Sequence, residues 1–273
     1  MNRRTALGLV ATLALLGSDA CLHRMTDPSV DAETAQLASD GSEMAAASAQ
    51  TTHLANLVVS SVSSQEPSQA AATAGAKVAL WPPGCLSRSI DPTDPLTVRL
   101  HFDDCTGPFG LVHVRGDEVV TFSAGAAGAL HAEYRSDALT ANGLACAHQA
   151  SADITVRGTS RDVAWRGTWA RTSLAGVAVA HTSDLAVEFD LAAGCRSSTG
   201  SAVTTVGSRT IDTAIDAYRI CWSASGDACP SGSVVHTSRA TGRTLRVSFD
   251  GTSEAQVVLA GGRSFDVPLV CGG

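Results

Sequence analysis

The chain has 273 residues and a formal net charge of −7, from 19 lysine and arginine residues against 26 aspartate and glutamate residues. Binding to nucleic acid or to anionic lipid headgroups requires a basic face, so this charge argues against both classes of partner. Lys77 is the only lysine, and this removes the Schiff-base and phosphate-loop chemistry that depends on lysine. The length allows one large domain or two small ones.

Residues 1–20 have the pattern of an export signal. Two arginines precede an apolar run, Ala6–Gly17, and small residues up to Ala20 supply a cleavage site before Cys21. The run has about 12 residues, fewer than the roughly 20 that a transmembrane helix needs. The chain is therefore expected to act outside the cytoplasm.

Cys21 resembles the acylated cysteine of the bacterial lipoprotein lipobox. Ser18 and Asp19 depart from the leucine and the small neutral residue usual there, and Ser18 with Ala20 equally fits ordinary signal peptidase. The resemblance implies palmitate and diacylglycerol at Cys21, and two or more acyl chains give stable membrane anchoring. By the same resemblance, Leu22 indicates the outer membrane. Cleavage without acylation would instead give a secreted, soluble protein.

Residues 21–80 have the composition of a tether. The segment is rich in alanine and serine and contains no aromatic residue, so it offers little apolar surface to offset the entropy of ordering. Helix-favouring residues make a helix possible within Ala32–Ala47, and Val58 and Val59 are candidates for local packing. We expect a disordered or partly helical linker that leads into a domain at residues 81–273.

From residue 81 onward the pattern is that of β-strands. Apolar and polar residues alternate strictly in Leu96–Phe102, Leu185–Leu191 and Leu245–Phe249, which predicts strands with one buried face. Further strands are predicted at Leu111–Val114, Val119–Phe122, Ala152–Val156, Val163–Trp169, Val177–His181, Tyr218–Trp222, Val234–Thr237, Val257–Leu259 and Phe265–Val270.

Short glycine-containing connections separate many of these segments. Glycine supplies the positive φ that tight hairpin turns need. Turns are predicted at Arg115-Gly116-Asp117, Arg157-Gly158, Arg166-Gly167, Asp250-Gly251 and Gly261-Gly262. Closely spaced strands without an alternating helix pattern predict a mainly β fold, as an antiparallel sandwich, a barrel or a curled β-meander.

Eight cysteines in an exported chain indicate disulfides that staple the fold. No Cys-x-x-Cys motif is present, so neither a redox motif nor a zinc ribbon is supported. If Cys21 is acylated, seven remain and one stays free, for which Cys146 is the candidate. Spacing alone does not determine connectivity, but it favours three bridges: Cys85 with Cys105, Cys195 with Cys221, and Cys229 with Cys271.

Two groups of side chains offer chemistry, and each has a simpler interpretation. His101, Asp103 and Asp104 are suitable metal or acid–base groups at one strand end, but a solvated strand end explains them as well. Trp165 and Trp169 fall on one face of a strand, where they would form a sugar-binding platform if exposed and core if buried. We expect the solvated end and the core.

Motifs for catalysis are incomplete. His131-Ala132-Glu133 has the His-x-Glu of zinc deaminases, but the matching Pro-Cys-x-x-Cys is absent. Gly158-Thr159-Ser160-Arg161-Asp162 lacks the final glycine of a nucleophile elbow and is better explained as a hairpin turn. No catalytic residue, metal site or cofactor is therefore predicted.

The whole layout of signal, Ala/Ser-rich tether and Cys-containing β-rich domain resembles that of uncharacterised Gram-negative lipoproteins. The resemblance implies an exported protein of the outer membrane or periplasm, attached through lipidated Cys21, and it implies no activity. The expected function is non-enzymatic binding or scaffolding, with a protein or glycan as partner and no nucleic acid. The alternatives are an exported hydrolase whose site is assembled from distant strands, and a soluble, secreted carbohydrate-binding β-protein.

Overall fold

The computed structural model describes residues 36–37, 40, 58–75, 80, 82–106, 113–173, 176–223, 226–227, 229–269 and 271. These residues form one open antiparallel sheet in which strands follow one another in chain order, with the two-residue β10 paired beside β9. Among the predicted architectures this is the β-meander, and the mainly β prediction is confirmed. The strands are β1 Leu86–Ile90, β2 Thr97–Thr106, β3 His113–Ala124, β4 Leu130–Ala141, β5 Leu144–Arg157, β6 Ser160–Thr172, β7 Ala178–Asp190, β8 Cys195–Val206, β9 Arg209–Ser223, β10 Gly226–Asp227, β11 Ser231–Ser238, β12 Thr244–Asp250, β13 Glu254–Leu259 and β14 Ser264–Pro268.

Alternation of side chains gives the sheet a buried face and an exposed face. In β6, Trp165 and Trp169 are buried, whereas Arg166 and Thr168 between them are exposed. The same period of two runs through β2, β7 and β12, because successive side chains of a strand point to opposite faces. Burial of one face against a core therefore stabilises the whole meander.

Part of the predicted tether packs on the buried face. Val58, Val59 and Val62 are fully buried in the same apolar cluster as the tryptophans of β6, and so are Ala70 and Ala71 of helix α1 (Pro67–Thr73). The Arg161 guanidinium donates to the Val62 carbonyl oxygen at 2.8 Å, and its other hydrogen bonds go to main-chain carbonyls of its own turn. The boundary between tether and domain stays a prediction, but residues 58–75 contribute to the core.

A line of bulges crosses strands β2, β3 and β4. Pairing of β3 with β4 shifts between Arg115 and Asp117, where Gly116 has a φ of 104°. A Cβ atom at Gly116 would lie 2.3 Å from the Ala138 carbonyl oxygen, so only glycine fits. The prediction of a turn at Arg115-Gly116-Asp117 is therefore wrong, because the glycine serves a bulge inside a 12-residue strand.

Three of the other predicted turns are confirmed, and one is wrong. Gly158 lies in the β5–β6 hairpin, Asp250-Gly251 leads from β12 to β13, and Gly261-Gly262 lies between β13 and β14. Arg166-Gly167 instead lies within β6, where Gly167 pairs with Ala150 and Ser183. Strand pairing on both sides therefore overrides the glycine signal at that position.

Candidate functional site

The three polar residues at the end of β2 do not converge on one site. His101 Nδ1 lies 2.7 Å from Asp117 Oδ1, whereas Asp104 pairs with His113 at 3.2 Å and with Arg115 at 3.3 Å. The main-chain N–H of Asp103 donates to the Cys85 carbonyl at 2.8 Å. Within the described parts of the chain, no three His, Cys, Asp or Glu side chains are grouped to hold a metal ion.

Trp165 and Trp169 belong to the core. Each is 2 % exposed, and the Trp165 ring packs against Tyr134 with centroids 5.2 Å apart. The pair therefore cannot stack on a sugar from solvent. Arg171 covers the Trp169 ring at 4.9 Å from its centroid, which adds a cation–π contact to the buried packing.

All three disulfides favoured by the spacing are present: Cys85–Cys105, Cys195–Cys221 and Cys229–Cys271. Cys146 is free and buried. Burial, with the nearby Glu118 charge, raises the pKa of its thiol to about 11, so it is protonated and unreactive near neutral pH. Disulfides persist in oxidising compartments and indicate an exported protein. Cys21 lies outside the described residues.

A groove of about 940 Å³ lies on the exposed face of strands β1 to β7, and we call it the exposed-face groove. Two rows of side chains run across its floor, perpendicular to the strands. One row is Arg99, Val119, Arg135, Gln149, Thr168 and Thr182, and the other is Thr97, Thr121, Glu133, Ser151, Arg166 and Asp184. Members of a row stand on successive strands, so they repeat at about 4.8 Å.

Arginines of the groove differ in how far they are neutralised. Arg99 forms ion pairs with Asp117 at 2.9 Å and Asp137 at 3.1 Å, and Arg166 pairs with Asp184 at 3.1 Å. Burial alone would raise the pKa of Asp117, but hydrogen bonds from His101 and Arg99 lower it below its ordinary value. Arg135 has no ion pair with any residue that the structure describes.

Groups suited to proton transfer do not meet in the groove. Its described lining contains no histidine. Glu133 and Asp184 stand three strands apart in one row, roughly 14 Å between main chains at the 4.8 Å strand spacing, and Asp184 is engaged by Arg166. Glycoside hydrolysis uses two carboxyl groups about 5–9.5 Å apart. The lining is therefore suited to hydrogen bonding a polar ligand.

A second polar group lies on the buried face. Glu118 Oε1 is 2.8 Å from His148 Nδ1, and these side chains are 1 % and 0 % exposed. The His148 ring stacks on Trp165 at a centroid distance of 6.1 Å, and its main-chain N–H donates to Ser136 Oγ at 2.8 Å. Burial raises the pKa of Glu118 above its ordinary value, and the hydrogen bond from His148 opposes that rise.

Among the described residues, several buried atoms around this pair have no hydrogen-bond partner: Glu118 Oε2, His148 Nε2 and Tyr134 Oη. Loss of hydration on burial raises the pKa of Tyr134, which keeps its hydroxyl protonated. Glu118 and His148 lie inside the core and are not part of the groove lining, whereas Tyr134, which is also buried, is one of the lining residues.

Sequence reasoning missed both polar groups. Glu118 shares a strand face with Val120 and Phe122, so the alternation around it was the available signal. For the groove no local signal exists, because its floor is drawn from six strands. Among the groove residues, Glu133 was considered from the sequence as part of His131-Ala132-Glu133 and Arg166-Gly167 as a turn, and the pairing of Glu133 with His131 at 3.6 Å lies at the surface.

Comparison of the chain with protein-family models, curated proteins and solved structures finds no match. Within the described residues, no helix has the length and apolar character needed to cross a bilayer.

Proposed function

We propose that this protein is an exported, lipid-anchored, non-enzymatic binding protein whose β-sheet holds a polar ligand in the exposed-face groove. The observation that carries the proposal is the groove itself. Its volume of about 940 Å³ lies within the range of ligand sites, about 300–1,000 Å³. Its floor consists of hydroxyl, amide and guanidinium groups with one valine, and the two carboxylates of the rows, Glu133 and Asp184, stand on strands β4 and β7.

The proposed anchor is Cys21. Three disulfides support an exported location, and acylation of Cys21 would attach the domain to the outer membrane or to a periplasmic membrane surface. Gln36 is the first described residue, and 15 extended residues reach at most about 50 Å. The domain would therefore stay near the membrane, in the envelope, because Leu37 packs in the apolar cluster of the later strands and Asp40 pairs with Arg209.

Binding is tested by filling the groove. Thr168 is exposed on β6 in the groove floor, and Thr244 is exposed on β12, outside the groove. In a Cys21→Ser background, which removes the proposed anchor, we expect Thr168→Trp to abolish retention of the purified protein on washed cell-envelope material of the producing bacterium, and Thr244→Trp to leave that retention unchanged. Equal retention of both variants would contradict a role for the groove.

The anchor is tested separately by intact mass and fractionation. Acylation predicts a mature mass that begins at Cys21 and includes the acyl chains, together with membrane retention that Cys21→Ser abolishes. An unmodified Cys21 in the soluble fraction would overturn the anchor and favour the secreted alternative.

A further inference from the structure

Cations are placed regularly across the exposed-face groove. Arg99, Arg135 and Arg166 lie on β2, β4 and β6, so one arginine stands on every second strand. At a strand spacing of about 4.8 Å, successive arginines are roughly 10 Å apart in the direction across the strands. Arg99 and Arg166 are already paired with carboxylates, so Arg135 is the arginine of this series whose charge is left for a ligand that lies across the strands.

Arg135 occupies the middle of this series and is the arginine without an ion pair among the described residues. It is exposed on β4, opposite Val119 on one side and Gln149 on the other. A guanidinium binds a carboxylate in a bidentate, charge-assisted geometry. Its cross-strand neighbours carry no charge, and Glu133, two residues away on the same face of β4, forms no ion pair with it.

Neutral hydrogen-bonding groups fill the intervals between the arginines. Thr121, Gln149 and Ser151 lie on the strands that flank Arg135, and Thr168 and Thr182 extend the row beyond them. Hydroxyl and amide groups both donate and accept hydrogen bonds. Such groups match ligand hydroxyls, which also do both.

We propose that the exposed-face groove binds an acidic oligosaccharide that lies across the strands, with one sugar carboxylate on Arg135 and sugar hydroxyls on the neighbouring Thr, Ser and Gln side chains. The proposal rests on the proposed function, since it names the class of ligand for the same groove. Charge complementarity at Arg135 supports the acid, and the hydroxyl and amide groups around it support the sugar.

The same floor is less suited to a peptide or to a single-stranded nucleic acid. A peptide bound by its main chain uses a free sheet edge, whereas β2 to β6 are paired on both sides. Single-stranded nucleic acid requires aromatic rings for base stacking, and the described aromatic side chains of β4 and β6, Tyr134, Trp165 and Trp169, are buried on the other face.

The test measures binding of a galacturonic acid hexamer by calorimetry, with its fully methyl-esterified form as the neutral probe. We expect the acid to bind and the ester to bind at least about tenfold more weakly, as for loss of a hydrogen bond to a charged group. Arg135→Gln should weaken binding of the acid by a similar factor. Arg246→Gln is the matched control, an exposed arginine on β12 outside the groove, and should change nothing.

Three results would overturn this assignment: no binding of the acid, equal binding of acid and ester, or no effect of Arg135→Gln. A glutamate hexamer that bound as tightly as the sugar acid would overturn the glycan class. None of these results decides the proposed function, which is tested by the retention of the Thr168→Trp variant on envelope material. If that variant loses retention while the sugar acid fails to bind, the groove is a binding site for another ligand class.

Discussion

The described residues form two apolar cores. The larger core has 29 buried residues, from the first eight strands and from residues 58–74. The smaller core has 12 buried residues, from the later strands and Leu37. The first group, which we call the first half, contains Trp165 and Trp169. The second half, β9 to β14, has Tyr218 packed edge-on against Phe249 at 5.4 Å. Apolar burial is the main stabilising contribution to folding, so the second half has less of it.

Covalent links are distributed more evenly than the packing. Cys85–Cys105 lies in the first half, Cys195–Cys221 joins directly opposed positions across the boundary between the halves, and Cys229–Cys271 ties the segment before β11 to the residues after β14. Small cores commonly need such bridges. The smaller core of the second half is therefore supported by two of the three described disulfides, one of which it shares with the first half.

Removal of the two disulfides that hold the second half is expected to have the largest effect. The bridges close loops with sequence separations of 26 and 42, for which loss of the chain constraint costs roughly 3.5 and 4 kcal/mol. In a variant with serine at Cys195, Cys221, Cys229 and Cys271, hydrogen exchange should show lost protection in β11 to β14 and retained protection in β3 to β7. Cys85→Ser with Cys105→Ser is the control. Loss of protection over the whole sheet at once would show that the halves are a single cooperative unit.

Strands were predictable wherever alternation was strict, and their lengths were not. The segments Val177–His181 and Leu185–Leu191 were predicted separately but form one strand, β7, because Thr182 and Ser183 interrupt the apolar pattern without interrupting the pairing. Strands β1, β4 and β8 were not predicted. In β8, serine, threonine and glycine occupy most positions, and strand pairing on both sides stabilises a sequence whose own pattern is weak.

Cys85–Cys105 was the pair most open to prediction, because it brackets two neighbouring strands, β1 and β2, whereas Cys229–Cys271 spans four strands. The exposed-face groove was not predictable, because Arg99 and Arg166 come to the same face of the sheet only through the register of the four pairings between β2 and β6. Glu118 and His148 likewise meet across β3, β4 and β5, where bulges shift the pairing. The register between strands that are distant in sequence cannot be predicted from a short segment of the sequence.

Loss of the buried partner of Glu118 is the next largest expected effect, and it concerns the first half. His148→Leu leaves a buried carboxyl without its hydrogen bond, and breaking a buried pair costs about 3–5 kcal/mol. The pKa of Glu118 is raised in the folded state, so as the pH rises the carboxyl ionises at a lower pH in the unfolded chain than in the folded one. The loss of stability caused by His148→Leu should therefore be larger at pH 8 than at pH 4. Denaturant unfolding at the two pH values measures this difference.

A double variant, Glu118→Leu with His148→Leu, provides the control. It leaves no buried charge, so it should be more stable than His148→Leu alone. Equal stability of the single and double variants would mean that Glu118 does not depend on His148.

Each half also contains a buried histidine that reports on acid stability. Burial lowers the pKa of His181 in the first half and of His236 in the second to about 4, from an ordinary value of 6.5. Their Nδ1 atoms bond Thr204 at 2.8 Å and Thr213 at 2.9 Å. Because the unfolded chain binds protons that the folded one does not, stability should fall as pH drops from 6.5 to 4, by about 3 kcal/mol per histidine.

The pH dependence of denaturant unfolding near pH 5 gives the number of protons taken up. His181→Gln and His236→Gln should each lower that number by about one. Relative to the unsubstituted protein, hydrogen exchange at pH 5 should show higher protection in the half that carries the substitution. An unchanged proton uptake in either variant would contradict the burial of that histidine.

The smallest effect is expected at the contact between the N-terminal segment and the second half. Asp40, with a side chain 4 % exposed, accepts from Arg209 Nε and Nη2 at 2.7 Å each. Asp40→Asn removes the charge from a shielded bidentate pair and should cost about 1–2 kcal/mol. Asp212 forms a similar bidentate contact with Arg239 in the same half, but both side chains are about half exposed, so Asp212→Asn should cost less than about 1 kcal/mol.

The two aspartates differ in how far they are shielded from solvent. Comparison of the two variants therefore separates the contribution of the N-terminal segment to the stability of the second half from the contribution of an exposed ion pair on β9 to β11. A larger loss for Asp40→Asn, seen as lower protection of β9 and β12, would mean that Leu37 and Asp40 supplement the small core together with the two disulfides. The second half would then depend on residues distant in sequence as well as on its own cross-links. Equal losses would assign its stability to the cross-links and its own packing.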